Sequence, residues 1–224
     1  MALTLHYHPL SSHCWKLLIA LAENGTSCEP KLVNLGDPAE RAAFAALWPT
    51  AKIPLLVDGE RVVPETSIQI EYLDRRHPGR VRLLPEDFDT QLQVRLWDRL
   101  FDCYVMDPMQ RYIAQLLRPE AERDAKAMSA AVDALGLAYD MIESRMGAHA
   151  WAACDDFSMA DCAAAPALFY AATIRPFSAG HTRLSAYFER LLARPSVWQT
   201  IVQAQPWFQY YPHRQALPAR FLST

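Results

Sequence analysis

The chain has 224 residues, enough for one large domain or two ordinary ones. A length of this order buries roughly 70% of the unfolded surface, so a core needs neither disulfides nor a structural metal. Half of the residues are hydrophobic, and the net charge of −3 divides evenly about residue 80 (8 basic against 9 acidic residues, then 14 against 16), which excludes a disordered chain and argues against nucleic acid or an anionic membrane as partner.

Met1–Pro9 runs straight into alternating sequence, without the charged segment and long apolar segment of a secretory signal. Leu3–His8 alternates as a strand does. Ser12–Asn24 reads as a helix with Trp15, Leu18, Ile19 and Ala22 on one face and Asn24-Gly25 as its stop. Lys31–Leu35 is a second expected strand and Pro38–Leu47 a short alanine-rich helix. Ile53–Val57 and Arg61–Val63 flank Asp58-Gly59, a hairpin signal. Thr66–His77 is a third helix, ended by Pro78-Gly79. The order βαβαββα suits a four-stranded mixed sheet with helices on its faces.

Residues 81–87 form a connector, and no convincing strand follows. Phe88–Leu117 is expected to be helical with a kink or break at Pro108. Glu120–Met146, Met159–Ile174, Arg183–Ala193 and Ser196–Gln203 are further helices, and the aromatic run Pro206–Tyr211 is expected to pack back on them. The expected class is α+β, with a domain of residues 1–80 and an all-helical domain of residues 88–224. No apolar run approaches the ~20 residues of a membrane span. Five cysteines (Cys14, Cys28, Cys103, Cys154, Cys162) contain no C-x-x-C pair, which points away from a disulfide framework or a zinc site and toward a reducing cytosol.

The chemistry-bearing residues cluster at element junctions. Ser11 and Ser12 lie where the first strand hands over to the first helix, at the positive end of the helix dipole, where an anion such as a thiolate is stabilised. A hydroxyl there is also an ordinary N-cap. Cys14 sits one turn further in, past the position a redox nucleophile would hold, and reads as a packed, inert thiol. Tyr7 is a rival phenol donor or a sheet aromatic. Pro54, after Lys52 and Ile53, marks either an edge strand or, if its peptide bond is cis, a turn that frees the Ile53 backbone for an extended peptide. Glu65-Thr66 opens the third helix, with Thr66 as cap or the pair as a clamp for an α-amino acid end. Ser158-Met159-Ala160-Asp161 is a capping box, and Trp97, Phe101 and Tyr104 form a helically spaced stripe suited to a core.

These pieces, in order and in register, resemble the cytosolic glutathione S-transferases over nearly the whole chain, and Ser11-Ser12-His13-Cys14-Trp15-Lys16 resembles the serine-type classes, zeta-like or related bacterial ones. The resemblance implies a thioredoxin-like first domain, a helical second domain, a homodimer, and glutathione as co-substrate without a metal. By position it implies Ser11 as the catalytic hydroxyl. Ser12, His13, Lys52, Ile53, cis-Pro54, Glu65 and Thr66 would complete the glutathione site, and Leu10, Tyr104, Met109 and Tyr112 would wall the electrophile pocket. His13 replaces the cysteine of the zeta-class Ser-Ser-Cys run, which tells against isomerase chemistry. The expected activity is conjugation of the glutathione thiolate to a hydrophobic electrophile. The alternatives are a glutathione-dependent disulfide reductase and a non-catalytic binder of glutathione or hydrophobic ligands.

Overall fold

The computed structural model describes residues 3–222. Its sheet is built from β1 (Leu3–Tyr7), β2 (Glu29–Leu32), β3 (Leu55–Asp58) and β4 (Arg61–Val63). The spatial order is β2-β1-β3-β4, with β2 parallel to β1 and β3 antiparallel to both of its neighbours. Three helices accompany the sheet: α1 (Ser12–Asn24), α2 (Pro38–Leu47) and α3 (Thr66–Arg76). Leu5, Leu17, Ile19 and Leu56 are fully buried between sheet and helices. Gly25 ends α1 at φ +75, a left-handed turn that an L side chain adopts only under strain.

Two strands begin elsewhere than periodicity suggests. β2 ends at Leu32, and every one of its four residues is exposed because it is an edge strand, tolerant of Pro30. Val33, which the expected strand included, lies just past β2, its N–H donating to Tyr7 C=O at 2.9 Å and its side chain packing with Phe44, Ala51 and Leu55 in a small second core. β3 starts at Leu55 because the cis Ile53–Pro54 peptide turns the preceding chain away from the sheet.

The rest is helical: α4 (Phe88–Leu100), α5 (Asp107–Leu116), α6 (Ala125–Arg145), α7 (Met159–Ile174), α8 (Thr182–Leu192) and α9 (Pro195–Ala204). Phe101–Met106 between α4 and α5 is a π-helical stretch. Pro108 lacks the N–H that would bond Tyr104, and its ring would press on that carbonyl, so the chain widens just ahead of it instead of breaking. The central helix α7 is buried on all sides and packs against α1, α4 and the π stretch. Its capping box is present: Ser158 N and Oγ both donate to Asp161 Oδ2, at 2.9 and 3.0 Å. Asp161 also receives Ala152 N–H and the Tyr187 hydroxyl on Oδ1, at 2.9 and 2.6 Å, so a fully buried carboxyl organises the loop before α7 and anchors α8.

The two halves meet along α1. Glu23 near its end receives Arg194 in a bidentate pair, at 2.9 and 2.6 Å, and the Ser196 hydroxyl from the start of α9. Trp15 packs against Phe169 and Tyr170 of α7. Phe208 and Tyr211 of the C-terminal run are buried, so this segment packs back as expected. Among the described residues no helix is long and apolar enough to cross a membrane.

Candidate functional site

Two spaces adjoin at the junction of β1, α1 and the helical half. A polar chamber of about 290 Å³ is lined by His13, Lys52, Pro54, Glu65, Thr66, Arg99 and Asp102, among others. An apolar cleft of about 470 Å³ is lined by His8, Leu10, Ser11, Met109, Ile113 and Tyr211, among others. Ile53 and Gln110 line both, so they mark the threshold between them.

The turn His8–Ser11 carries the serine. Ser11 N–H donates to His8 C=O at 3.0 Å, closing a β-turn with Pro9 at its second position. The Trp15 indole N–H donates to Pro9 C=O, the Tyr170 hydroxyl donates to Leu10 C=O at 3.1 Å, and Leu10 N–H donates to His8 Nδ1 at 3.2 Å. The turn is thus held from both halves of the molecule. Ser11 caps α1, its Oγ accepting Cys14 N–H at 3.3 Å. The hydroxyl stands beside the positive end of the helix, next to the Cys14 thiol. Ser12 lies in the first turn of α1 and accepts a hydrogen bond from Gln110 Nε2 at 3.3 Å.

Cys14 is fully buried, and burial pushes its thiol up to about 12, so it is unavailable as a nucleophile. Tyr7 is absent from the lining of both spaces and packs against the core, where burial raises its phenol.

On the chamber side, the cis Ile53–Pro54 bond is held by Gln69, whose fully buried side chain donates to Pro54 C=O and Val63 C=O, each at 2.9 Å. Among the described residues neither the N–H nor the C=O of Ile53 enters a hydrogen bond. That backbone pair is available to an extended ligand, as an added strand would use it. Ala51 takes φ +47 just ahead of this loop, the region in which glycine is ordinarily preferred. The cap of α3 is Glu65 and not Thr66. Glu65 adopts φ +63, and Thr66, buried, is the first helical residue. A non-glycine residue at such a φ costs on the order of 1–3 kcal/mol, and it persists where the surroundings enforce it. Here it presents an uncapped helix start and an exposed carboxylate to the same chamber.

Sequence reasoning missed the wall behind the chamber. Lys16 is completely buried, with its Nζ 2.6 Å from Asp98 Oδ1, 2.8 Å from Asp102 Oδ2 and 3.0 Å from Ser67 Oγ. Arg99 pairs with Asp102 and reaches Ser67 Oγ at 3.2 Å, while Ser67 donates to Asp98 at 2.6 Å. Asp102 Oδ1, buried, has no hydrogen-bond partner. The available signal was a lysine inside an otherwise apolar helical stripe, together with Asp98 and Asp102 four residues apart. Burial lowers the His13 imidazole below the usual histidine value, with nearby Asp102 opposing it and Lys16 adding to it. The chamber thus offers cations in Lys52 and Arg99 and carboxylates in Glu65 and Asp102. That set fits a ligand with two carboxylates, one ammonium and peptide groups between.

Of the residues expected around an electrophile, Leu10 and Met109 line the cleft, and Tyr104 and Tyr112 do not. Tyr104 is 58% exposed. The extra residue per turn in the π stretch rotates the following side chains by roughly 100° relative to a continuous helix. Trp97 and Phe101 of the same stripe remain buried. Tyr112 faces the ring of His213 at 5.9 Å. The cleft is instead completed by Ile113, Tyr170 and Tyr210–Pro212 of the C-terminal segment.

Comparison with known proteins places both parts of the chain in one family. Residues 5–81 match the glutathione S-transferase N-terminal domain and residues 105–195 the C-terminal domain, together three-quarters of the chain. Glutathione S-transferase 3 of Zea mays is 27% identical over 206 residues, covering 89% of this chain and 93% of the relative. The stringent starvation protein A homolog of Haemophilus ducreyi is 27% identical over 220 residues, covering 92% of each. The crystal structure of a glutathione S-transferase from Methylobacterium radiotolerans, in complex with glutathione sulfonate, superposes with a TM-score of 0.77 at 27% identity, covering 89% of this chain and 94% of that one. By both of its domains, the chain belongs to the glutathione S-transferase family.

Proposed function

We propose that this protein binds glutathione in the polar chamber, holds its sulfur as a thiolate at Ser11, and transfers it to a hydrophobic electrophile in the apolar cleft. The observation that carries this reading is the position of Ser11. It caps α1 with its oxygen at the positive end of the helix and lines the cleft together with the threshold residue Ile53. A glutathione lying along Ile53 as an added strand would bring its cysteinyl sulfur to that hydroxyl. Glu65, Asp102 and Thr66 would take the γ-glutamyl end, and Lys52 the glycyl carboxylate. His13 and Ser12 shape the turn, and cis-Pro54 keeps the Ile53 backbone open. The glutathione sulfonate bound in the Methylobacterium radiotolerans relative supports this choice of ligand.

A hydrogen bond to a charged group is worth about 1.5–3 kcal/mol, or roughly 1–2 pKa units on the bound thiol. Ser11→Ala is therefore expected to raise the pKa of bound glutathione by about that amount, read from thiolate absorbance against pH. An unchanged titration would remove Ser11 from the mechanism. Tyr7→Phe is expected to leave the titration as it is in the wild type.

A disulfide reductase acting through Cys14 loses its nucleophile, since that thiol is buried and pushed up to about 12, which leaves only a route that uses two glutathiones. The non-catalytic reading stays as the alternative because a relative matched over 92% of its length is named for stringent starvation and not for a transferase. Binding of glutathione without turnover of any electrophile would establish it. We also infer a homodimer formed through α3 and α4, whose shared outer face leaves Ile68, Leu92 and Leu96 exposed. A monomeric mass in light scattering would refute that. The free thiols suit a reducing, cytoplasmic setting.

A further inference from the structure

The cleft has polar groups whose hydrogen-bonding capacity is nearly all committed. Tyr170 donates to Leu10 C=O, Tyr211 is paired with Thr173 Oγ1 at 2.9 Å, and Gln110 donates to Ser12. Ser11 is reserved for the sulfur, and Ser12, whose hydroxyl accepts from Gln110 and keeps its own proton, is buried. Asn34 and Tyr210 lie exposed at the rim. One half-buried donor remains, His8.

Its ring is fixed from two directions. Leu10 N–H donates to His8 Nδ1, and the ring meets Trp207 edge-on at 4.8 Å between centroids. A nitrogen that accepts a backbone N–H carries no proton of its own, so in the neutral ring the proton is on Nε2. Burial lowers the imidazole below its usual value, which keeps that neutral form in place at neutral pH. Among the described residues His8 Nε2 has no hydrogen-bond partner, and His8 lines the cleft. His8 and Ser11 are the first and fourth residues of one hydrogen-bonded turn, whose end Cα atoms lie within about 7 Å of each other. One short segment therefore brings a donor for the nucleophile and a second donor to the same cleft.

We propose that His8 Nε2–H is a hydrogen-bond donor to the electrophile, selecting substrates in which attack builds negative charge on oxygen, α,β-unsaturated carbonyls above all. The proposal rests on the transferase reading. Glutathione ionises on binding and releases its proton to solvent. Its sulfur forms a bond to the β-carbon, the alkene electron pair shifts toward the carbonyl, and the charge appears on the enolate oxygen, which His8 stabilises. Water then protonates the α-carbon, so the adduct is the sum of the two reactants. A preorganised donor aimed at developing charge commonly contributes a large factor to rate, because it is already oriented when the charge appears.

The test uses the full-length protein, with His8→Leu, which removes the donor, and His8→Gln, which restores an N–H. Turnover is compared for 4-phenylbut-3-en-2-one and benzyl chloride, whose leaving halide needs no oxyanion donor. Bound-glutathione ionisation is followed by thiolate absorbance in every variant. The enone-to-halide rate ratio is expected to fall at least tenfold in His8→Leu and to return within about threefold of wild type in His8→Gln. Calorimetry adds a readout independent of turnover. A keto-bearing S-alkyl glutathione should bind the wild type about tenfold more tightly than its methylene analogue, a preference absent in His8→Leu. Unchanged ratios with a normal thiolate signal would overturn the role of His8 alone. A wild type with no thiolate signal would overturn the transferase reading, and this proposal with it.

Discussion

The two spaces at the domain junction are built on opposite principles. The polar chamber is backed by the buried charges of Lys16, Asp98 and Asp102, joined by Ser67 and by the exposed Arg99. The apolar cleft has walls of separate side chains from the turn after β1, the segment after β2, α5, α7 and the C-terminal run. A chamber tied to the core can hold one ligand in one pose, because moving its charges would unpair them in a medium that does not solvate them. A cleft walled by apolar side chains tolerates changes of shape at small cost, since each wall residue contributes packing and not a network. Fixed recognition on one side and adaptable selection on the other suit an enzyme that takes one thiol and varied electrophiles.

The sharpest way to break this contrast is at Lys16. Replacing it with methionine leaves two buried carboxylates with only the exposed Arg99 as counter-charge, a loss of about 3–5 kcal/mol in chemical denaturation, with weaker glutathione binding in whatever folds. A loss under 1 kcal/mol would show that the network is not part of the core. A smaller effect tests the cleft side. Tyr170→Phe removes the hydroxyl that holds Leu10 C=O and is expected to cost about 1 kcal/mol. It should raise KM for the electrophile while leaving glutathione affinity within about twofold, since the chamber wall is untouched. Equal effects on both ligands would mean that the two spaces are mechanically one.

The smallest expected effect, confined to acid, probes the joint that both spaces share. Burial alone would raise the Glu23 carboxyl, but its bonds to Arg194 and Ser196 outweigh this and hold it below the ordinary glutamate value. A depressed carboxylate stabilises the fold fully above about pH 4.3, and that contribution drains away as pH falls through the lower folded value. Wild type should therefore lose stability more steeply below about pH 4.3 than Glu23→Gln, in urea melts taken from pH 6 to pH 3. Parallel curves would show that this pair does not join the halves energetically.

Much of the scaffold was legible because it is local. Helix α1 begins and ends where Ser11 and Gly25 place its caps, and the capping box at Ser158 starts α7 where a Ser and an Asp three residues apart dictate. The hairpin follows Asp58-Gly59 for the same reason. The edge strand β2 was misplaced by two residues because its neighbours' pairing, and not its own alternation, sets its bounds. Family resemblance assigns Tyr104 to the pocket and its helical spacing assigns it to a core, and the π stretch leaves it exposed and outside the cleft lining. Gln69 carried no local sign of its role, and Lys16 only that of a charge inside an apolar helical stripe, since their partners lie on segments 6 to 86 residues away.

The sequence alone determined the order of elements, their caps and the serine turn, since each depends on residues within a few positions of one another. The burial of Lys16 between two aspartates, the freeing of the Ile53 backbone and the exposure of one histidine donor to the cleft were decided only in three dimensions. Each of these requires distant segments to meet, and the cost of leaving a polar group unpaired exists only once water has been excluded around it.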